Sequence, residues 1–342
     1  MTATQWDSLS SHLVGGAGIL YFLALLCHLV EWSALAGRKT LLREKELVGA
    51  GAPAQTGAVS WVDGASERAE KREFRREFSA RLGITLTVLA VLVHLGALIS
   101  RGMAADPHRV PWGNMYEFTM SGTFVVAAAY VVLYRKLTLS WMAPLVLTFV
   151  VVCLMIGEIW LYEAVAPLTE ALNSYWLVIH VVSAILATGA FTLGGMASLM
   201  YLIKLRAGER ETGWLSRVPS LTVLDRVSYR IHAFAFPVWT FAVLITGPIW
   251  AHQAWSSYWN WDPKEVWAFI TWVVYAGYLH ARATAGWKGR NAAILALVGV
   301  ATLWFNFIGI NYFSTTSQHS YAAPAVSVVT PPSADLNEGV LA

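Results

Sequence analysis

The sequence predicts an all-α protein, a polytopic bundle of about eight transmembrane helices with both termini on the outer side. Three observations lead there. Apolar residues make up 56% of the 342-residue chain and charged residues 13%, with a mean hydropathy of +0.52, whereas soluble domains carry about a quarter charged residues. Several apolar runs reach the roughly 20 residues that cross a hydrocarbon core, and they are continuous rather than alternating, which excludes a strand-type barrel. The Lys and Arg residues also alternate sharply between successive connections.

The expected spans are 13–36, 81–100, 116–134, 139–160, 177–203, 232–250, 266–281 and 292–313. The first begins without a preceding cation or a small-residue cleavage site, so it reads as a true span rather than a removable signal. Connections 37–81, 135–136, 204–230 and 282–290 hold 21 of the 24 Lys and Arg residues, against Arg101, Arg109 and Lys264 elsewhere. By the positive-inside rule the first set is cytoplasmic. The chain then divides into a first helix (1–36), a charged amphipathic connection (37–80), a core (81–319) and a polar, proline-bearing tail (320–342) expected to be disordered outside. Within the connection, opposite charges recur at i,i+3 and i,i+4 through Ser66–Phe78, which suits a helix at a membrane surface and, more simply, a solvated charged helix. Cys27 and Cys153 lie in apolar runs and form no CxxC pair, which argues against a thiol relay or an iron–sulfur centre.

The tryptophans are the anomaly. Six of the seventeen fall between Trp250 and Trp272, crowding one outer connection (250–267) that reads in part Trp255-Ser256-Ser257-Tyr258-Trp259-Asn260-Trp261-Asp262-Pro263-Lys264-Glu265-Val266-Trp267. Interfacial aromatic belts spread over many helix ends. A local crowd instead suits a flat apolar platform for a planar macrocycle. Asp262, Pro263 and Glu265 also form a capping-box pattern at the start of the seventh span. Asp262 and Glu265 therefore have a structural reading beside a chemical one.

The Trp259–Glu265 stretch resembles the WWD signature of the heme-handling proteins of System II cytochrome c biogenesis, the CcsA/ResC family. Its continuation Val266-Trp267-Ala268-Phe269-Ile270-Thr271-Trp272, the stretch Asn114-Met115-Tyr116-Glu117-Phe118 and the stretch Trp176-Leu177-Val178-Ile179-His180-Val181 are similar to further motifs of that family. The resemblance covers most of residues 80–320. It departs at Ser256, where the family usually has Gly, and at His252, where Asn is common.

The resemblance implies that the chain is a cytochrome c-type biogenesis protein of the cell membrane. It would deliver heme b as cargo to the outer face of the membrane and hold it for attachment to apocytochromes carrying CxxCH; the excess of Arg over Lys, 17 to 7, and the abundant Ala favour a bacterial plasma membrane over a thylakoid. His180 and His319 would be the outer axial ligands of the iron, and His280 an inner ligand. Trp255, Trp259, Trp261, Asp262 and Trp267 would contact the ring. The implied partners are a CcsB/ResB-type membrane subunit, the apocytochrome and thiol-reducing proteins of the same pathway; no nucleic acid is expected. The chain would be an enzyme only as a subunit of a holocytochrome c synthase, and no catalytic residue is assigned.

From the residues themselves, His94 and His28 have structural readings, His252 is a further ligand candidate, and His12, His108 and His232 carry no assigned role. Two other functions stay open. A di-heme b-type electron-transfer cytochrome would require two stacked histidine pairs, one per leaflet. A small-molecule transporter would require paired broken spans in the two halves.

Overall fold

The computed structural model describes residues 1–33, 58–166, 174–208, 213–314 and 316–318, with the side chains of 58–66, 69 and 213 excepted. His319 and the tail 320–342 lie outside the described residues, as does most of the connection before residue 58.

Ten α-helices are described: α1 (Ala3–Ser33), α2 (Ala58–Ala104), α3 (Met115–Leu133), α4 (Ala143–Trp160), α5 (Tyr175–Ala207), α6 (Leu221–Thr240), α7 (Gly247–Trp255), α8 (Pro263–Ala283), α9 (Arg290–Trp304) and the short α10 (Ile310–Phe313). A π-helical turn, Phe241–Thr246, joins α6 to α7, and a second, Phe305–Gly309, joins α9 to α10. Seven helical stretches are long and apolar enough to cross a membrane: Ala3–Ser33, Glu70–Ala104, Met115–Leu133, Leu139–Trp160, Tyr175–Ala207, Leu221–Trp255 and Arg290–Phe313. The remaining expected span, 266–281, folds as α8, a 21-residue helix rich in Trp and Tyr that stands outside that set.

The pairing of helices follows from contacts that reverse along the chain. Ser10 donates to the Ala97 carbonyl, Tyr21 meets His94, and His28 lies against Gly83, so α1 and α2 run antiparallel. Ser198 with Ser228, Phe191 with Trp239 and His180 with Ala242 make the same pattern for α5 and the α6–α7 segment. Thr271 with Thr302 and Tyr275 with Ala296 do so for α8 and α9. Helix α5 is central, touching α3, α6, α7 and α9. Small residues Gly189, Ala190, Gly194, Gly195 and Ala197 on α5 are all buried or half-buried, which lets neighbouring backbones approach closely.

Two ends of the bundle result. At one, Asp7, Arg101, Glu117 and Glu163 meet, as do Ser174 with Gln253 and Asp262 with Ser317. At the other, Glu31 pairs with Arg217 and Asp225 with Arg282. The alternation read from charge is therefore an alternation in space.

The charged stretch 66–78 is a charged helix with Glu67–Lys71, Glu73–Arg76 and Glu77–Arg81 pairing on an exposed face, and it continues unbroken into α2. One segment differs from expectation. Helix α6 begins at Leu221, eleven residues before the expected span, because its polar first turns read as a connection. His232, placed beside a connection, is instead fully buried among Phe191, Tyr275 and Tyr278. His28 and His94 are also fully buried, against Glu31 and Tyr21.

Candidate functional site: an aromatic cavity beside His180

A cavity of about 160 Å³ opens at the end of the bundle that holds Asp7 and Arg101. Its walls include Trp112, Phe118, Trp239, Trp250, Tyr258, Trp259 and Phe307, with His180, Asn114, Lys264, Glu265 and Asn306 as polar members.

His180 stands in the second turn of α5, whose first residues are capped by the Ser174 hydroxyl accepting from the Trp176 N–H. Its Nδ1 is 3.0 Å from the carbonyl oxygen of Ala242. A carbonyl only accepts, so Nδ1 carries the proton and the neutral ring has its lone pair on Nε2, the arrangement that metal-bound histidines share. The carbonyl is in position because Ala242 belongs to the π-helical turn, where it also accepts from the Gly247 N–H and, at 3.1 Å, from the Thr246 hydroxyl. The ring lies parallel to Trp250, with 12° between planes and 5.9 Å between centroids. Gly247 lies opposite: a Cβ there would come within 3.2 Å of the imidazole and 3.1 Å of the Ala242 carbonyl, tighter than ordinary contact.

The tryptophan segment divides by position. Trp259 lines the cavity. Trp261 is 73% exposed and meets Trp259 edge-on at 6.0 Å, its backbone held at φ +58°, an outlying conformation for a bulky residue. Trp255 packs edge-on against Trp250 at 4.8 Å, one layer behind the wall. Trp267 packs on Phe305 at 4.2 Å. Trp112, Trp239 and Trp250 complete the lining and were not singled out from sequence as ring contacts. Ser256, in place of the family's usual Gly, ends α7 in the left-handed region at φ +58°, where glycine carries no steric penalty. His252 is exposed, stacked on Tyr258 at 4.3 Å.

Asp262 does two things. Its carboxylate caps α8, accepting from the Lys264 N–H at 2.8 Å, while Glu265 accepts from the N–H groups of Asn260 and Asp262. The capping box expected from the sequence is present. The same carboxylate accepts from the Ser317 hydroxyl at 2.8 Å and the Gln318 N–H at 2.6 Å. The residue pair preceding His319 is thus tied to the WWD segment. Asn caps helices about as well as Asp, but its NH2 group cannot accept from Gln318. Asp262→Asn is therefore expected to leave the melting temperature nearly unchanged while hydrogen exchange of a peptide containing Gln318 accelerates. Unchanged protection there would show that the tie has no structural role.

Asn114 and Glu117 support the opposite wall. Asn114 caps α3 by accepting from the Glu117 N–H at 2.9 Å, and the Glu117 carboxylate accepts from the Gly113 N–H at 2.7 Å and from Arg101 and Arg109. That holds Trp112 and Asn114 at the cavity. Lys264, ahead of the apolar stretch of α8 that starts at Val266, is half-buried, with its ammonium 2.9 Å from Asn311 Oδ1. Loss of surrounding water pushes it down to about 8, opposed by the negative charge of Asp262. His280 lies elsewhere, exposed in the last turns of α8 at the opposite end of the bundle. Among the described residues no group of three or more His, Cys, Asp or Glu could hold a bare metal ion.

Residues 112–317 match the family described as Cytochrome C assembly protein. A "Cytochrome c biogenesis protein CcsA" of Gloeobacter violaceus is 31% identical over 298 residues, covering 70% of this chain and 86% of that relative. The CcsA protein of Guillardia theta is 32% identical over 231 residues, 62% of this chain and 76% of the relative. That of Chlamydomonas reinhardtii is 40% identical over 160 residues, with this chain spanning 44% of its length. Among solved structures, "Cytochrome c Heme Lyase CcmF" superposes with a TM-score of 0.54 at 16% identity, over 91% of this chain and 49% of that one, a likeness of fold. The chain belongs to the cytochrome c assembly protein family, in its CcsA/ResC branch.

Proposed function

We propose that this chain carries heme b as cargo to the outer face of the membrane and holds it in the cavity beside His180 for attachment to apocytochromes bearing CxxCH. The observation that carries the reading is the His180 tautomer: Nδ1 donates to the Ala242 carbonyl, so the lone pair sits on Nε2 of a ring in an aromatic cavity. His319 is the proposed second axial ligand, following directly on the Ser317–Gln318 pair that Asp262 anchors. Trp259 packs on the porphyrin, with Trp255, Trp261 and Trp267 buttressing the wall or its rim. The charge split among connections supports an outward-facing cavity.

His280 is the proposed inner ligand. Its exposure on α8 suits a second histidine supplied by a CcsB/ResB-type subunit, which we place against that face. Thiol-reducing proteins of the same pathway would keep the apocytochrome cysteines reduced. Each thiol then adds across a heme vinyl double bond, sulfur to one carbon and hydrogen to the other, with no net oxidant or reductant consumed. This chain contributes positioning, holding the vinyl groups at the approaching thiols. The membrane is proposed to be a bacterial plasma membrane.

Trp259→Ala should lower heme retention in purified protein several-fold at unchanged abundance, and Trp261→Ala much less, because only the first ring lines the cavity. Equal loss in both, or loss of protein rather than of heme, would favour a membrane-anchoring role. Gln318→Cys should react with an impermeant thiol reagent in intact cells, whereas Cys introduced at Arg217 should not. The reverse pattern would overturn the outward assignment.

A further inference from the structure

The carbonyl that orients His180 is shared. The Ala242 oxygen accepts from His180 Nδ1 at 3.0 Å, from the Gly247 N–H and, at 3.1 Å, from the Thr246 hydroxyl. A carbonyl oxygen has two lone pairs, so three donors are more than it serves at full strength. The crowding originates in the π-helical turn. In an α-helix this oxygen would take the N–H four residues on. Here it takes the fifth, and the wider turn leaves it open to a donor from α5.

Thr246 has no direct contact with the cavity. It is fully buried and stands outside the cavity's lining, so it cannot touch the cargo. Its hydroxyl carries one proton, and the Phe241 carbonyl at 3.2 Å is the alternative acceptor. Back-bonding of this kind is ordinary for threonine inside helices. Thr119, Thr192 and Thr240 make the same bond to Met115, Thr188 and Phe236. At Thr246, however, the acceptor is also the atom that fixes the cavity histidine.

A donor on one lone pair weakens a carbonyl as acceptor for the next donor. The stronger the bond made by Nδ1–H, the more electron density the ring places on Nε2, and the more an iron bound there favours its ferric state. We propose that Thr246 is a positioning residue that acts through His180. Its hydroxyl draws on the Ala242 carbonyl, keeps the Nδ1 bond below full strength, and so weights heme iron in the cavity toward the ferrous state. The inference rests on the heme reading above and adds to it a control of the iron's redox balance.

The test uses the full chain, purified in detergent with heme bound, and a potentiometric titration of the iron. Thr246→Val keeps the side chain's shape and removes the hydroxyl; Thr246→Ser keeps the hydroxyl and removes the methyl. The Val protein is expected to favour ferric over ferrous iron about three-fold more than wild type does. That is a fall in midpoint potential of about 30 mV, at about 59 mV per ten-fold for one electron, with heme content retained. The Ser protein should titrate with wild type. If the Val protein does not accumulate, Thr246→Ala removes the same hydroxyl without added bulk and should shift the potential the same way. An unchanged or raised potential in the hydroxyl-free protein overturns the proposal. So does an equal fall in the Ser protein, which would trace the effect to packing. His180→Gly separates the two levels. If it alters the spectrum of bound heme while the hydroxyl-free variants titrate with wild type, the role of Thr246 fails and the heme reading stands. If it leaves the spectrum unaltered, the ligand assignment fails and the role of Thr246 with it.

Discussion

His180→Gly is expected to lower heme retention by at least about ten-fold and to abolish maturation of c-type cytochromes. The ring removed is the one that donates to the Ala242 carbonyl and lies parallel to Trp250. Gly leaves a space the size of imidazole, bounded by the same carbonyl and the same indole. Exogenous imidazole should enter it, donate one N–H to Ala242 and offer its other nitrogen to iron, restoring maturation in part. His319→Gly should behave likewise, and the double variant should respond poorly. His280→Gly should reduce the heme that reaches the cavity without altering the spectrum of what is bound there. Normal heme content and maturation in His180→Gly would remove the ligand assignment, and His252, stacked on Tyr258 beside the cavity, would become the next candidate.

The largest expected loss of stability comes from Arg101→Met. The Arg101 side chain is fully buried and donates through Nε to Glu117 at 2.9 Å, through Nη1 to Asp7 and through Nη2 to the Glu163 carbonyl. Four elements therefore converge on one guanidinium: α1, α2, α3 and the segment after α4. Removing it leaves Asp7 without its guanidinium and Glu117 with Arg109 alone, a change of up to about 3–5 kcal/mol for a buried pair. Thermal unfolding and steady-state abundance should both fall steeply. Arg101→Lys should recover little, because a point charge with a flexible stem cannot reach three acceptors in a fixed fork. A shift smaller than about 1 kcal/mol would mean that Arg109, which also donates to Glu117, carries the network alone.

The bundle was readable because its signals are summed over many residues. Apolar runs and the charge bias of whole connections do not depend on any single side chain. The capping box at Asp262 was readable for the opposite reason, being a strictly local pattern. What escaped lies between those scales. Trp259 and Trp261 are identical in type and two residues apart, yet one lines the cavity and the other is exposed, a difference set by the positive φ at Trp261. Asp225, Arg226 and Arg230 made the first turns of α6 look like a connection, and the burial of His232 was lost with them. The cavity's polar residue Asn306 gave no motif, since its burial depends on partners far away in sequence. One available signal was not used: Gly247-Pro248 inside an apolar run, where a missing N–H must break the α-helical ladder.

The π-helical turn at Phe241–Thr246 amounts to one surplus residue in a helix that otherwise keeps α register. Each residue of an α-helix advances the azimuth by about 100°. Deleting any one position in the turn would let α6 and α7 fuse smoothly and swing everything beyond it by that angle. Trp250 would leave the His180 ring, and the Ala242 carbonyl would return to ordinary helix bonding. The turn therefore acts as a phase setting between two halves of one long rod: α6 packs the core in one phase, and α7 presents its indoles in the other. Substitutions along this segment are weighed side chain by side chain, but its residue count is constrained as a whole.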